Sequence, residues 1–397
     1  MSLSTPLSGR AVELSLRDRV RFGVGSIASL GATVREHGSR AFVVTDAGVR
    51  AAGVLDTVAG VLADDGIPTG VFAEVEPNPG GSVVERGAAA LREFGLDGTV
   101  VVAVGGGSAM DTAKALSLRA TNDAPVWDLG YDDPALTPGR PIVAVVTTAG
   151  TGAETNSFGV ITDEAAGRKA YVGHPSLLPV ATILDPALTV GLPPAATAAS
   201  GIDAMTHSLE SLLSANPNPF AEAMALAVIR TVGAWLPAAV ADGSDLESRS
   251  RLLMASHLAG VGQASGTGVG LVHALGHALG TRGRLPHGTA LAVVLPEVLA
   301  FYAAEPGLRD RELALVGVAL GAASPVEADA VAVPRAIDAV RALCAAVDQR
   351  PTLRALGFDD AMLDVVAQDA IDDAAIGNSP RLPSFEEARA ILSSVAG

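Results

Sequence analysis

The sequence predicts a parallel α/β domain over residues 1–193 followed by an all-helical domain over 194–397. Three observations carry this. At 397 residues the chain exceeds the usual single domain. Between about residues 40 and 185, short β-branched runs alternate with helical patterns, the signature of a parallel sheet. Past Leu192-Pro193-Pro194 the β-branched runs give way to long Ala/Leu-rich stretches.

The strands are AFVVTD (41–46), TVVVAVGGG (99–107), PIVAVVTTAG (141–150) and ATILDP (181–186), short and nearly continuously apolar, as strands covered on both faces are. Residues 157–173, SFGVITDEAAGRKAYVG, read as two strand-like runs around a polar turn, a hairpin inserted in the first domain. In the second half, AATAASGIDAMTHSLESLLS and PFAEAMALAVIRTVGAWLPAAVA carry apolar residues at helical spacing. Apolar residues are 49% of the chain and aromatics only 4%, so the cores are built of Ala, Val and Leu.

Charge and cysteine usage exclude several classes. A net charge of −16 with no Lys/Arg run argues against a nucleic-acid partner. No run of about 18 or more apolar residues is evident, and the opening MSLSTPLSGRAVELSLRDR lacks the order of a signal peptide, so the expectation is a cytoplasmic protein without a membrane partner. The single cysteine, Cys344, excludes an intrachain disulfide and a Cys-rich metal site. Any metal must be held by histidine and carboxylate.

TVVVAVGGGSAMDTAKAL is a buried-strand pattern, then Gly105, Gly106, Gly107 and Ser108, then a helix start. Glycines admit close approach of a phosphate, and the free N–H groups at the head of the following helix attract its charge. The turn is a candidate pyrophosphate site, though such turns also occur in α/β proteins without ligands; its spacing is neither GxGxxG nor a Walker loop. A second strand ends in Thr147, Thr148, Ala149, Gly150 and Thr151, small and hydroxyl-rich where open α/β sheets place ligands. The strand at 41–46 ends in Asp46. A carboxylate there accepts from a ribose hydroxyl and repels a 2′-phosphate, favouring NAD over NADP; it serves equally well as a helix cap.

Histidine is sparse, seven in all, yet three fall within HALGHALGTRGRLPHG at 273–288. His273 and His277 are four residues apart, on one face of a helix, and His287 follows in a Pro-His-Gly turn. On GIDAMTHSLE, Asp203 and His207 have the same spacing. A single such pair is more often a surface interaction than a ligand pair, but two pairs and a third histidine in one helical domain point to a metal. Imidazole and carboxylate suit Fe(II), Zn or a related divalent ion. Five candidates exceed what four ligands need, leaving one histidine for chemistry.

Taken together, these segments resemble the iron-containing (group III) alcohol dehydrogenase family. The resemblance runs from about residue 20 to the C-terminus through VTD, GGGSAMDTAKA, TTAGTGAE, ITD, DPALTVGLPPAATAASGIDAMTHSLE, HALGHALG and LPHG. It implies a Rossmann-like dinucleotide-binding α/β domain, a helical metal-binding domain and a homodimer. It assigns Asp203, His207, His273 and His287 as ligands of Fe(II), with Zn the alternative, and puts His277 near the nicotinamide. Gly105, Gly106, Gly107 and Ser108 would hold the pyrophosphate of NAD, with Asp46, Thr147, Thr148 and Thr151 along the rest of the cofactor. Asp111 and Lys114 belong to the same motif, with roles that are functional or purely structural. The implied activity is reduction of a short-chain aldehyde, or oxidation of a primary alcohol in reverse.

The chain departs from the family pattern at Arg282 and Arg284, where an aromatic or neutral residue is usual. The guanidinium fork suits a carboxylate or phosphonate, so an anionic aldehyde such as phosphonoacetaldehyde or succinic semialdehyde is one expectation and a pair of solvated loop arginines the other. Phe158 is placed either to narrow the substrate site or to join the core. GQASGTGVG (262–270) is unusually glycine-rich, and Asn378-Ser379-Pro380-Arg381 carries an extra serine relative to Asn-Pro-Arg. Maleylacetate reductase, hydroxyacid–oxoacid transhydrogenase and a dehydroquinate synthase-like lyase are the alternative activities; the last returns its NAD unchanged.

Overall fold

The computed structural model describes residues 12, 14, 19–131, 133–163 and 168–397. The chain divides into two compact units at Leu192/Pro193.

The first unit carries strands β1 (Val20–Phe22), β2 (Arg40–Asp46), β3 (Thr69–Val75), β4 (Thr99–Gly105), β5 (Ile142–Val146), β6 (Phe158–Asp163), β7 (Arg168–Gly173) and β8 (Ala181–Leu184). Its helices are α1 (Leu30–His37), α2 (Ala47–Ala51), α3 (Val54–Asp64), α4 (Gly81–Phe94) and α5 (Gly107–Thr121). Among the described residues, six strands form one parallel sheet in the order β1-β8-β5-β4-β2-β3. Every residue of β4 and β5 is buried, because helices cover both faces, and Val43, Val102, Val104, Val145 and Ile183 form part of the core. The edge strands β1 and β3 were not expected. Their residues are half exposed, so neither shows the continuous apolar run that marked the central strands.

From β2 the chain steps outward to β3, then crosses back over β2 to β4. The switch point between the carboxyl ends of β2 and β4 is where open α/β sheets bind ligands. Asp46 and Gly105 stand at those two ends.

β6 and β7 pair antiparallel as the expected hairpin, from Phe158↔Gly173 to Asp163↔Arg168; residues 164–167 of its turn lie outside the described residues. The hairpin rests on α5, close enough that a Cβ on Gly159 would lie 2.5 Å from the Asp111 carbonyl oxygen. Lys114, fully buried, pins the contact by donating to the carbonyls of Ala153 and Phe158 and to Asn156 Oδ1, at 2.5, 2.9 and 2.6 Å. These contacts make Lys114 part of the packing of the hairpin on α5.

The second unit contains α6 (Pro194–Leu213), α7 (Pro219–Ala241), α8 (Leu246–Gly262), α9 (Leu271–Gly283), α10 (His287–Ala303), α11 (Asp310–Ala319), α12 (Asp329–Ala346), α13 (Asp360–Asp372) and α14 (Phe385–Ser394). Among the described residues it has no strand. By length and composition α7 could cross a membrane, which amends the reading that no such segment exists. It packs one face against α6 and α8, burying Ala221, Ala225, Val228, Ile229, Val232 and Leu236. The glycine-rich stretch after α8 forms a π turn over Gln263–Thr267, with Gly266 at φ +95° and Gly268 at φ +65°, before α9 begins. Asn378 Nδ2 donates to the Val269 carbonyl at 3.0 Å and so braces the approach to α9.

Candidate functional site

Three helices of the second unit deliver the histidines and the aspartate. Asp203, His207 and Glu210 sit at i, i+4 and i+7 on α6, one buried face of one helix. His273 and His277 lie one turn apart on α9. His287 opens α10 behind Pro286, and Gly288 explains its place: a Cβ there would lie 2.0 Å from the Ala199 carbonyl oxygen, so only glycine lets the head of α10 rest on α6.

Asp203 Oδ1 is the meeting point. It lies 3.4 Å from His207 Nδ1, 3.7 Å from His273 Nε2 and 3.7 Å from His287 Nε2. The ligand atoms of Asp203, His273 and His287 all fall within 4.8 Å of one another, and the His207 ring centroid is 4.7 Å from that of His273. These separations are long for hydrogen bonds but close to the ~3.4 Å between atoms that share one ion at roughly 2.1 Å in near-tetrahedral geometry. Among the described residues, Asp203 Oδ1 and His273 Nε2 are buried without a hydrogen-bond partner, which is costly unless a cation satisfies both. The converging donors, one carboxylate and two imidazoles, fit a divalent transition ion, and His207 stands beside that cluster without being one of its members.

The electrostatics support that fit at Asp203 and His287 and oppose it at His273, where an arriving cation must displace a proton. Burial opposes ionisation of Asp203, yet His207, His287 and His273 hold its carboxyl far below the usual range. Burial, against the pull of Asp203 and with the push of the other imidazoles, brings His287 down to about 3, so its ring is neutral and offers a lone pair. Burial also disfavours the charged form of His273, but Glu210 and Asp203 outweigh it and raise the group to about 9.

Two carboxylates in the site escaped sequence reasoning. Glu210 Oε2 is 2.5 Å from His273 Nδ1, and Asp373 Oδ2 is 2.8 Å from His277 Nδ1. The i+7 spacing from Asp203 was a usable signal for Glu210. Asp373 lies 96 residues from its partner, and no local pattern announces it. His277 itself stacks on His287 with ring centroids 5.5 Å apart.

The glycine loop of the first unit is built against the second loop. Thr147 N donates to the Gly105 carbonyl at 3.0 Å. A Cβ on Gly106 would lie 2.7 Å from Thr148 Oγ1, and one on Gly107 2.8 Å from Thr151 Cγ2. Gly105 has φ +152°, and a Cβ there would meet Ala109 at 2.5 Å. Close packing of the two loops is thus a second reason for three consecutive glycines. Gly106 caps α5 without a side-chain hydrogen bond, so the backbone N–H groups around Gly107 and Ser108 stay open to an anion. Asp46 Oδ1 accepts from Val49 N at 2.9 Å, the helix cap, while Oδ2 turns toward Gly105; the carboxylate has an oxygen for each of its two readings.

The substrate candidates separate. Arg282 is a surface residue held by both oxygens of Asp369, at 2.6 and 3.0 Å. Arg284 is exposed, closes α9 in the left-handed region at φ 52° and has no such partner among the described residues. Phe158 is half-buried at the start of β6 and meets Tyr171 edge-on, with centroids 5.5 Å apart.

Family models match nearly the whole chain: iron-containing alcohol dehydrogenase over residues 18–186, and the C-terminal region of the Fe-containing alcohol dehydrogenase family over 197–396. The chain belongs to the iron-containing alcohol dehydrogenase family. Membership makes it an oxidoreductase acting on CH–OH groups. It is 38% identical to the probable alcohol dehydrogenase EutG of Salmonella typhimurium over 90% of this chain and 88% of that protein. The crystal structure of a 1,3-propanediol oxidoreductase superposes with a TM-score of 0.92 at 32% identity, covering 97% of this chain and all of that one. A sulfoacetaldehyde reductase from Bifidobacterium kashiwanohense in complex with NAD+ superposes at 0.86 with 25% identity, over 98% of this family member and 100% of that chain.

Proposed function

We propose that this enzyme reduces a short-chain aldehyde with NADH, and oxidises the corresponding primary alcohol in reverse, at a divalent metal held by Asp203, His207, His273 and His287. The observation that carries the reading is the convergence of three imidazoles on Asp203 Oδ1, with that oxygen and His273 Nε2 buried and unsatisfied. Fe(II) is the proposed ion, in keeping with the family, and Zn the alternative. When bound, the cation supplies Lewis-acid polarisation of the carbonyl oxygen and stabilises the negative charge that develops there.

The chain's own residues do the rest. The open N–H groups at the head of α5 and the Gly105 to Ser108 turn bind the pyrophosphate; Thr147, Thr148 and Thr151 line the same loop pair. Asp46 Oδ2 accepts from the ribose and disfavours a 2′-phosphate, the reason to propose NAD over NADP. His277, its Nδ1 tied to Asp373, moves a proton between the nascent hydroxyl and solvent through Nε2.

An anionic aldehyde is the finer proposal. Arg284 is its receptor, since Arg282 is engaged by Asp369, and the likeness to a sulfoacetaldehyde reductase supports an acidic substrate class. A cytoplasmic homodimer completes the reading. The test is NADH and NADPH oxidation by anaerobically prepared enzyme, stripped and reloaded separately with Fe(II) or Zn, against neutral and anionic aldehydes of equal length. Faster turnover of anionic aldehydes with NADH, lost in Arg284→Ala, supports the whole reading. An Arg284→Ala variant with unchanged preference removes the anionic proposal alone, and no metal-dependent turnover removes the aldehyde reductase.

A further inference from the structure

Glu210 is buried on α6, yet its carboxylate reaches across to the start of α9. Oε1 accepts from the backbone N–H of Val272 at 2.7 Å and of His273 at 3.3 Å. Oε2 accepts from His273 Nδ1 at 2.5 Å. α9 has no side-chain cap of its own, so this carboxylate from another helix satisfies the orphaned donors of its first turn. A Cβ on Gly270, just ahead of that turn, would lie 3.0 Å from Ser379 Oγ and 3.3 Å from Glu210 Oε1, a tight fit on both sides.

We propose that Glu210 is the positioning residue that makes His273 an Nε2 metal ligand, and that the metal affinity of the site depends on it although it is no ligand. An ionised carboxylate only accepts, so it keeps the proton on Nδ1 and leaves Nε2 as the nitrogen that faces Asp203 Oδ1. The same carboxylate ties the start of α9 to the helix bearing Asp203 and His207, so ring tautomer and ring position are set by one group. The inference rests on the metal reading above.

Glu210→Gln separates the two roles. The amide oxygen still accepts from the two backbone N–H groups, but the amide NH2 now faces Nδ1, where it demands a bare nitrogen and moves the proton to Nε2, against the metal. Zn(II) affinity is measured by competition with a chromophoric chelator, and metal-free protein is melted in parallel. The expected result is a loss of affinity of about 10- to 100-fold in Glu210→Gln, with the metal-free Tm within about 2 °C of wild type. Glu210→Ala should show the same loss of affinity and a metal-free Tm lower by about 5 °C, because the α9 donors lose their acceptor. A Glu210→Gln variant that binds Zn(II) like wild type overturns the proposal. So does one that fails to fold or melts as early as Glu210→Ala, for then Glu210 serves the fold. Wild-type protein that binds no Zn(II) overturns the metal reading itself.

Discussion

Different work is proposed for Asp203 and His277, and single substitutions separate the two roles. Asp203→Ala removes the oxygen shared by three imidazoles, so it should abolish metal retention on dialysis while the metal-free chain stays folded. Asp373→Ala should instead leave metal content and aldehyde KM near wild type and lower kcat by about 10- to 100-fold, because it frees the His277 ring to turn away from the reacting oxygen. Loss of metal from Asp373→Ala would show that Asp373 supports the ion rather than the proton path. At this scale the sequence was legible where chemistry-bearing residues repeat at helical spacing, as Asp203/His207 and His273/His277 do. It was silent on Asp373 and on the Arg282–Asp369 pair, because both contacts close across more than 80 residues and depend on where α13 packs.

The elements are positioned by glycines that a helix would otherwise avoid. Gly288→Ala places a methyl 2.0 Å from the Ala199 carbonyl oxygen, so α10 must lift from α6 and carry His287 with it. The expected cost is about 1–3 kcal/mol in a chemical melt, with weakened metal binding; an unchanged metal affinity would show that His287 is placed by other contacts. The central strands and the hairpin could be read from their apolar runs and turn, whereas β1 and β3 could not, since edge strands are half solvated and alternate weakly. The glycine loop was read as a phosphate cradle. Its packing against Thr148 and Thr151 is tertiary, and no spacing in the sequence encodes it.

For the whole molecule, a metal that binds only the folded chain must stabilise it. At free metal about a hundredfold above Kd the gain is roughly 2.7 kcal/mol, a rise in Tm of about 5–10 °C for a unit of this size. Chelation should reverse it, and a Tm indifferent to metal would count against the site. A second effect, linked to pH, belongs to Asp111, whose carboxyl, desolvated under the hairpin and only partly compensated by Lys114 and Lys169, is raised to about 6. Its protonated form is the one the fold prefers. The associated stability is therefore fully present below the ordinary value of 3.8 and is lost as pH rises through about 6. Between pH 4 and 6.5, wild-type Tm should fall more steeply than that of Asp111→Asn; parallel profiles would refute the assignment.

The most direct test is metal stoichiometry and activity measured on the same samples. Wild-type and Asp203→Ala protein are stripped, titrated anaerobically with Fe(II), and assayed for bound metal and NADH-dependent aldehyde reduction at each step. The account predicts one ion per wild-type chain, turnover rising in proportion to occupancy, and neither in Asp203→Ala. Full turnover in the stripped wild type, or a bound and active ion in Asp203→Ala, would contradict it.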